Sequence, residues 1–331
     1  VVVTAQIREQ SLQDVPISVS AIAGEDIADR SVDNLQSLSA SVPNFMVVET
    51  QIDTSISIRG VRSGANKGFE QSVPMNFDGV VYPRSQLART PLVDLERVEV
   101  LKGPQSALFG RNTNGGAVNY FSRKPSMESE GYVNLDTGKF EKRKLEGAYG
   151  GQISENMAAR VSFVSNQQNE GWVYNRTTGN KQGEVDISAV RLQLLWEKDD
   201  TSVLLKVASS EDRSQPVYFQ HIGTNKIGGG YCDAYLQGRL DPNTCFDVLG
   251  YSDTDNDWYA GDYTNAAGTP INEDSTLEND HKLMTLTITK SFENFEFKSI
   301  TSTTEYDRVQ PKESDGNPAL FLDFLFNTQM E

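Results

Sequence analysis

Apolar and polar positions divide the chain into two textures. From residue 126 onward the period is two, the spacing of strands with unlike faces. Met157, Ala159, Val161 and Phe163 share one face, with Arg160 and Ser162 on the other. Val190, Leu192, Leu194 and Trp196 oppose Arg191 and Gln193, and Val203, Leu205 and Val207 alternate with Leu204 and Lys206. Met284, Leu286 and Ile288 oppose Thr285, Thr287 and Thr289. With GYVNLDTGKF, RKLEGAYGGQI (where Leu145, Tyr149 and Ile153 share a face) and FEFKSITSTTEY, the pattern predicts seven strands. Tight turns at Ser154–Asn156, Asp199-Asp200 and Glu293-Asn294 follow strands two, four and six. Most long connections follow the odd strands, and one of about seventy residues far exceeds the usual loop of a compact domain. Short turns at one end and long loops at the other are the pattern of a transmembrane β-barrel. Trp196 falls beside a short turn, where an interfacial aromatic girdle would place it.

Residues 1–125 mix elements. Val15, Ile17 and Val19 alternate as a strand, and Gly24 to Ala40 reads as one or two short helices anchored by Ile27, Leu35 and Leu38. Asp33 is the candidate N-cap and Pro43 the stop. Ser55–Gly60 and Asn76–Val80 read as two strands, with loops rich in Gly, Pro, Ser and Arg between and after them. From Asp94, Leu95, Val98, Val100 and Leu101 form a strand that Gly103-Pro104 breaks. Pro104 suits the first position of a helix, Ala107, Leu108 and Phe109 fill one helical turn, and Gly110 ends it. Asn112, Asn114, Gly115 and Gly116 make a turn-rich loop before the extended AVNYF run.

That stretch, DLERVEVLKGPQSALFGRNTNGGAVNYFSRKP, resembles the C-terminal half of the plug of TonB-dependent outer-membrane receptors. SLQDVPISVSAI is similarly plug-like, and VVVTAQ resembles a TonB box. The resemblance implies an α+β plug domain over residues 7–125, inside a transmembrane antiparallel β-barrel to which residues 126–331 contribute the N-terminal strands. Residues 1–6 would be the TonB-box-like segment. A plugged transporter barrel has about 22 strands, so seven strands predict an incomplete barrel and the N-terminal part of a receptor.

The same resemblance assigns roles. Val1, Val2, Val3, Thr4 and Ala5 would be offered to TonB, itself powered through ExbB and ExbD. A valine run favours the extended chain that can add to a partner's sheet edge. Phe69, Gln71, Tyr82 and Arg84 lie on loops that in the family form the plug apices and touch substrate. Arg59, in the IRG motif, and Lys102, where arginine is also common, would pair with carboxylates of the barrel wall and lock the plug. A charge facing a wall must be paired or wet. The implied function is active import of a scarce ligand, most commonly a ferric siderophore, across the outer membrane of a Gram-negative bacterium. Outer-membrane lipid is then a partner, and no cofactor is expected. The alternative class is a secreted or surface β-rich adhesin or glycan-binding protein, which would purify without detergent.

Composition narrows the field further. No apolar run approaches the roughly 20 residues of a membrane helix, a test to which a barrel is invisible. A net charge of −16 argues against nucleic acid, whose binding needs a basic footprint. Cys232 and Cys245 stand in a polar loop outside any C-x-x-C pair, which predicts an oxidised pair in a non-cytoplasmic compartment. His221 and His281 are the two histidines, too few for a metal cluster. Gly103 and Gly110 fail the phosphate-loop spacing, and no Lys-Ser/Thr pair follows. Asp253–Asp257 invites a calcium reading, but Trp258 and Thr264 stand where an EF-hand loop needs glycine and glutamate, leaving a solvated acidic loop. No Ser/His/Asp constellation emerges, so no enzyme is expected. With neither initiator Met nor signal peptide, the chain reads as mature or as a fragment.

Overall fold

The computed structural model describes residues 2–3, 10–11, 15–30, 32, 34–49, 54–63, 70–174, 180–215, 223–239, 241, 243–246, 263–264, 270–271, 276–313 and 323–330. At its start β1 (Val2–Val3) pairs antiparallel with β2 (Gln10–Ser11).

The first large unit runs through β3 (Ser18–Ala23), α1 (Gly24–Asp29), α2 (Leu35–Ser39), β4 (Phe45–Glu49), β5 (Thr54–Ile58), β6 (Val61–Arg62), β7 (Met75–Phe77) and β8 (Val80–Tyr82). A 3-10 turn (Ser85–Arg89), β9 (Leu95–Lys102), α3 (Ser106–Phe109) and β10 (Gly116–Ser122) complete it. Five strands form a sheet in the order β3-β9-β10-β7-β8, and β4-β5-β6 form a smaller one. Apolar side chains of α2, β5, β9 and β10 (Leu35, Leu38, Ile58, Val98, Val118) are fully buried between them.

Several local expectations change. Asn34, not Asp33, caps α2, accepting from the Ser37 amide at 2.8 Å; Asp33 is outside the described residues. Pro104 precedes α3 rather than opening it, since Gln105 is the residue at its N-cap. The predicted strand at residues 76–80 is a hairpin, β7–β8, turned by Asp78-Gly79 with both φ angles positive (+50° and +91°). Such a two-residue turn matches the twist of its flanking strands, and aspartate and glycine tolerate it best.

The second unit is β11 (Glu130–Thr137), β12 (Lys142–Ser154), β13 (Met157–Gln168), β14 (Val173–Tyr174), β15 (Lys181–Gln182), β16 (Val185–Lys198) and β17 (Thr201–Asp212). It continues with α4 (Asp233–Leu236), β18 (Tyr263–Thr264), β19 (Pro270–Ile271), β20 (Glu278–Ser291), β21 (Glu296–Glu313) and β22 (Asp323–Met330). The pairs β14–β15 and β18–β19 decorate the long loops. The other eight strands form one antiparallel sheet, β11-β12-β13-β16-β17-β20-β21-β22, so the count among the described residues is eight rather than seven.

This sheet is an open wall whose two faces sort as the alternation predicts. Val161, Phe163, Leu192 (54% exposed), Met284 and Leu286 point outward. Arg160, Gln193, Lys206 and Thr285 are buried on the inner face, against the first unit. A one-residue slip would invert each set, so the register is fixed by burial. Cys232 and Cys245 are disulfide-bonded and buried in the loop between β17 and β20.

Candidate functional site

The seam between plug-like unit and wall is where charge concentrates. Asp94, just ahead of β9, adopts φ +46°. Its carboxylate receives Arg160 of β13 through Nε at 2.7 Å and Nη2 at 2.8 Å, and both side chains are 1% exposed. This is the fork-to-fork geometry that makes arginine–carboxylate pairs directional. Arg160 also donates to Glu130 at 2.9 Å. Arg191 of β16 donates to the carbonyls of Val93 (2.6 Å) and Asp94 (3.0 Å), and Gln193 to that of Arg123 (2.8 Å). Glu146 of β12 accepts from the Asp94 amide (3.4 Å) and from the Tyr132 hydroxyl (2.9 Å).

A second pin lies at the β7–β8 turn. Asp78 accepts from the Ser122 amide at 2.8 Å and hydroxyl at 2.6 Å, and pairs with Lys206 of β17. Burial alone would raise the Asp78 carboxyl, but the Lys206 charge and the hydrogen bonds outweigh it and hold the group below the usual aspartate value. A looser contact places Arg89 3.6 Å from Glu49 and 3.9 Å from Asp212 of the wall.

Between the pins the contact is aromatic. Phe77 stacks on Tyr120 at 4.3 Å, Tyr82 meets His281 of β20 edge-on at 5.5 Å, and His281 meets Tyr306 of β21 at 6.0 Å. Tyr306 is 1% exposed and belongs to the core of the first unit. Burial and the negative Asp78 push the Tyr82 hydroxyl up, so it stays protonated.

The sequence-predicted residues fall in different places. Gln71 and Tyr82 are buried, so neither stands as an exposed apex. The Gln71 amide is instead tied to the Pro83 carbonyl. Arg84 is half-exposed at the start of the 3-10 turn. Val2 and Val3 are extended, whereas Val1, Thr4, Ala5 and Phe69 are outside the described residues. Arg59 and Lys102 neighbour one another; burial and the Arg59 charge hold the Lys102 amine below its ordinary value. Among the described residues no carboxylate forms an ion pair with either, so the expected lock is not made here. In the two close seam pairs, Asp94–Arg160 and Asp78–Lys206, the polarity is the reverse of that expectation, with the cation on the wall, whereas the looser Arg89–Asp212 contact keeps it. The Asp-Gly dipeptide was a signal for the Asp78 turn; nothing in the local sequence distinguishes Asp94.

No metal-holding group of acidic, histidine or cysteine side chains occurs among the described residues. The arrangement holds the first unit against the inner face of the wall through side-chain ion pairs and hydrogen bonds.

Comparison with known proteins resolves what those units are. The family model for the TonB-dependent receptor plug domain matches residues 11–117. An iron-regulated outer membrane virulence protein of Vibrio cholerae is 33% identical over 196 residues. That match covers 56% of this chain and 28% of the Vibrio protein. Residues 11–117 are a TonB-dependent receptor plug domain. The ferrioxamine receptor of Yersinia enterocolitica is 30% identical over 60% of the chain and 27% of its own length. Among solved structures, the ferric yersiniabactin uptake receptor of Yersinia pestis superposes with TM-score 0.70 at 19% identity, over 90% of this chain and 42% of that one. A pyoverdine outer membrane receptor from Pseudomonas aeruginosa gives 0.69 at 15% identity, over 96% and 42%. The chain thus spans under a third of the length of these two sequence relatives. In this receptor chain the first unit is a plug, and the eight-stranded wall is the part of a barrel that faces it.

Proposed function

We propose that the receptor imports a ferric siderophore or similar metal chelate across the outer membrane, driven by TonB acting on the N-terminal segment. The observation that carries this reading is a plug seated against the inner face of the wall by a fully buried ion pair, Asp94–Arg160, and a part-buried one, Asp78–Lys206. Such pairs hold in the absence of work yet leave no covalent barrier to displacement. The relatives named for iron and siderophore uptake support the cargo class. TonB, with ExbB and ExbD behind it, is the partner this arrangement requires, because the outer membrane holds no energy source. Val1 to Ala5 supply the handle, and the loop residues Phe69 and Arg84 remain proposed cargo contacts. Arg59 and Lys102 are proposed to pair with carboxylates elsewhere in the receptor.

The test is growth of a strain lacking the full-length receptor on iron-limited medium supplemented with a panel of ferric chelates. Loss of growth on one chelate, restored by the receptor only where TonB is intact, is the expected result. Normal growth of the deletion strain on every chelate, with each also taken up normally, would end the reading.

A further inference from the structure

The outer face of the wall carries its charges unevenly. At the end of the long loops its cations are neutralised across the strands. Lys282 lies opposite Glu305, 3.5 Å away, and Arg213, just past β17, reaches Asp280 at 2.6 Å. The end with the short turns, the periplasmic one in a transmembrane barrel, is different. There the register aligns Lys198 of β16, Thr201 of β17, Lys290 of β20 and Phe297 of β21 in one row. Lys290 is two strand periods beyond the outward-pointing Leu286, and directly paired residues share a face, so the whole row is on the outer side.

Lys198 and Lys290 are both exposed, and neither forms an ion pair among the described residues. The carboxylates of the same strand ends, Glu197 and Glu296, alternate to the inner face, and Asp199, Asp200 and Glu293 belong to the turns beyond the strands. Neighbouring strands are about 4.8 Å apart, so the single strand between the two lysines separates their backbones by roughly 10 Å. Lysine stems lie along apolar surface and deliver their ammonium groups to its polar edge, within reach of one group held between them. Aromatic rings frame the spot. Lys290 Nζ is 5.6 Å from the centre of the Phe292 ring, Phe292 stacks on Phe295 at 4.5 Å, and Phe297 is exposed. Trp196 sits one row nearer mid-strand, opposite Val203. Aromatic side chains in such a belt lie at the level of lipid headgroups.

We propose that Lys198 and Lys290 form a binding site for an anionic glycerophospholipid of the periplasmic leaflet. The two ammonium groups bracket its phosphate, Thr201 between them offers a hydroxyl donor, and the phenylalanines border its glycerol and upper acyl chains. Charge complementarity selects the occupant. Two cations left without carboxylates on a lipid-facing surface need an anion, and the membrane supplies one at that depth. A zwitterionic lipid brings an ammonium of its own to the lysines, so the site favours a headgroup of net negative charge.

Native mass spectrometry of the full-length receptor in detergent tests this, with phosphatidylglycerol and phosphatidylethanolamine of identical acyl chains titrated separately. The wild type is expected to retain phosphatidylglycerol more tightly than phosphatidylethanolamine. Lys198→Gln/Lys290→Gln should bind phosphatidylglycerol roughly thirtyfold more weakly and lose the preference. Lys198→Arg/Lys290→Arg keeps both cations and should keep the preference, which separates lost charge from damaged folding. Lys282→Gln, on the same face at the other end, should bind as the wild type does. Equal affinity of the wild type for the two lipids, an equal loss in Lys282→Gln, or loss in the arginine pair as well overturns the site. Displacement of the bound lipid by an equal concentration of inorganic phosphate overturns its assignment to a lipid.

Discussion

Asp94→Asn isolates the charge of the best-formed pin. Asparagine has the same shape and also tolerates the left-handed backbone that Asp94 adopts at φ +46°, so no new strain enters. What changes is that the Arg160 guanidinium, 1% exposed, loses its bidentate carboxylate. Breaking a buried pair from one side typically costs about 3–5 kcal/mol. Arg160 keeps Glu130, whose side chain is 42% exposed, and that favours the lower limit. A cost of about 3 kcal/mol multiplies the unseated population by roughly a hundred, at 1.4 kcal/mol per factor of ten. The assay is limited proteolysis of the plug in purified full-length receptor in detergent, with protease scarce enough that cleavage follows the open population. The variant should be cleaved about a hundredfold faster, and removing the stranded cation as well, in Asp94→Asn/Arg160→Gln, should recover part of the loss. Cleavage of the single variant at the wild-type rate would refute the claim that this pair seats the plug.

The lowered Asp78 carboxyl sets an acid limit on the second pin. Its contribution is fully present above the unfolded aspartate value of about 3.9 and is lost as pH falls through the lower folded value. Plug proteolysis should therefore accelerate in that acid window and lose this dependence in Asp78→Asn; superimposable pH profiles would sink the assignment. Cys232→Ser should loosen the β17–β20 loop by about 3 kcal/mol, the chain-entropy value for a closed loop of this length, with little effect on the plug. Free thiols titrated in the folded wild type would contradict it. Val3→Pro removes a backbone donor from the extended segment and should stop TonB capture and import while surface binding of the chelate persists. Import at the normal rate would reject the handle.

The wall was legible because burial on one face imposes a two-residue period, and Arg160, Arg191 and Gln193 turn inward as the alternation requires. Strand β22 was not, because Phe324, Leu325 and Phe326 run consecutively and give no alternation to read. The β7–β8 hairpin was readable in principle from its Asp-Gly turn, but three-residue strands are too short for periodicity to separate. Asp94 and Asp78 escaped for a deeper reason. Each is an ordinary turn aspartate locally, and its role appears only when a wall residue 66 or 128 positions away comes within reach.

Tyr306 carries a consequence for how such receptors are built and rebuilt. Because this wall tyrosine completes the plug's hydrophobic interior, the boundary between the two domains in sequence is not the boundary between their cores. During biogenesis the plug cannot finish packing until the seventh wall strand is in place, which couples its maturation to barrel assembly. A chimera that grafts this plug into a foreign barrel would open a hole where the phenol ring sits. Transplantation of this plug should therefore yield a fully packed domain only when β21 travels with it.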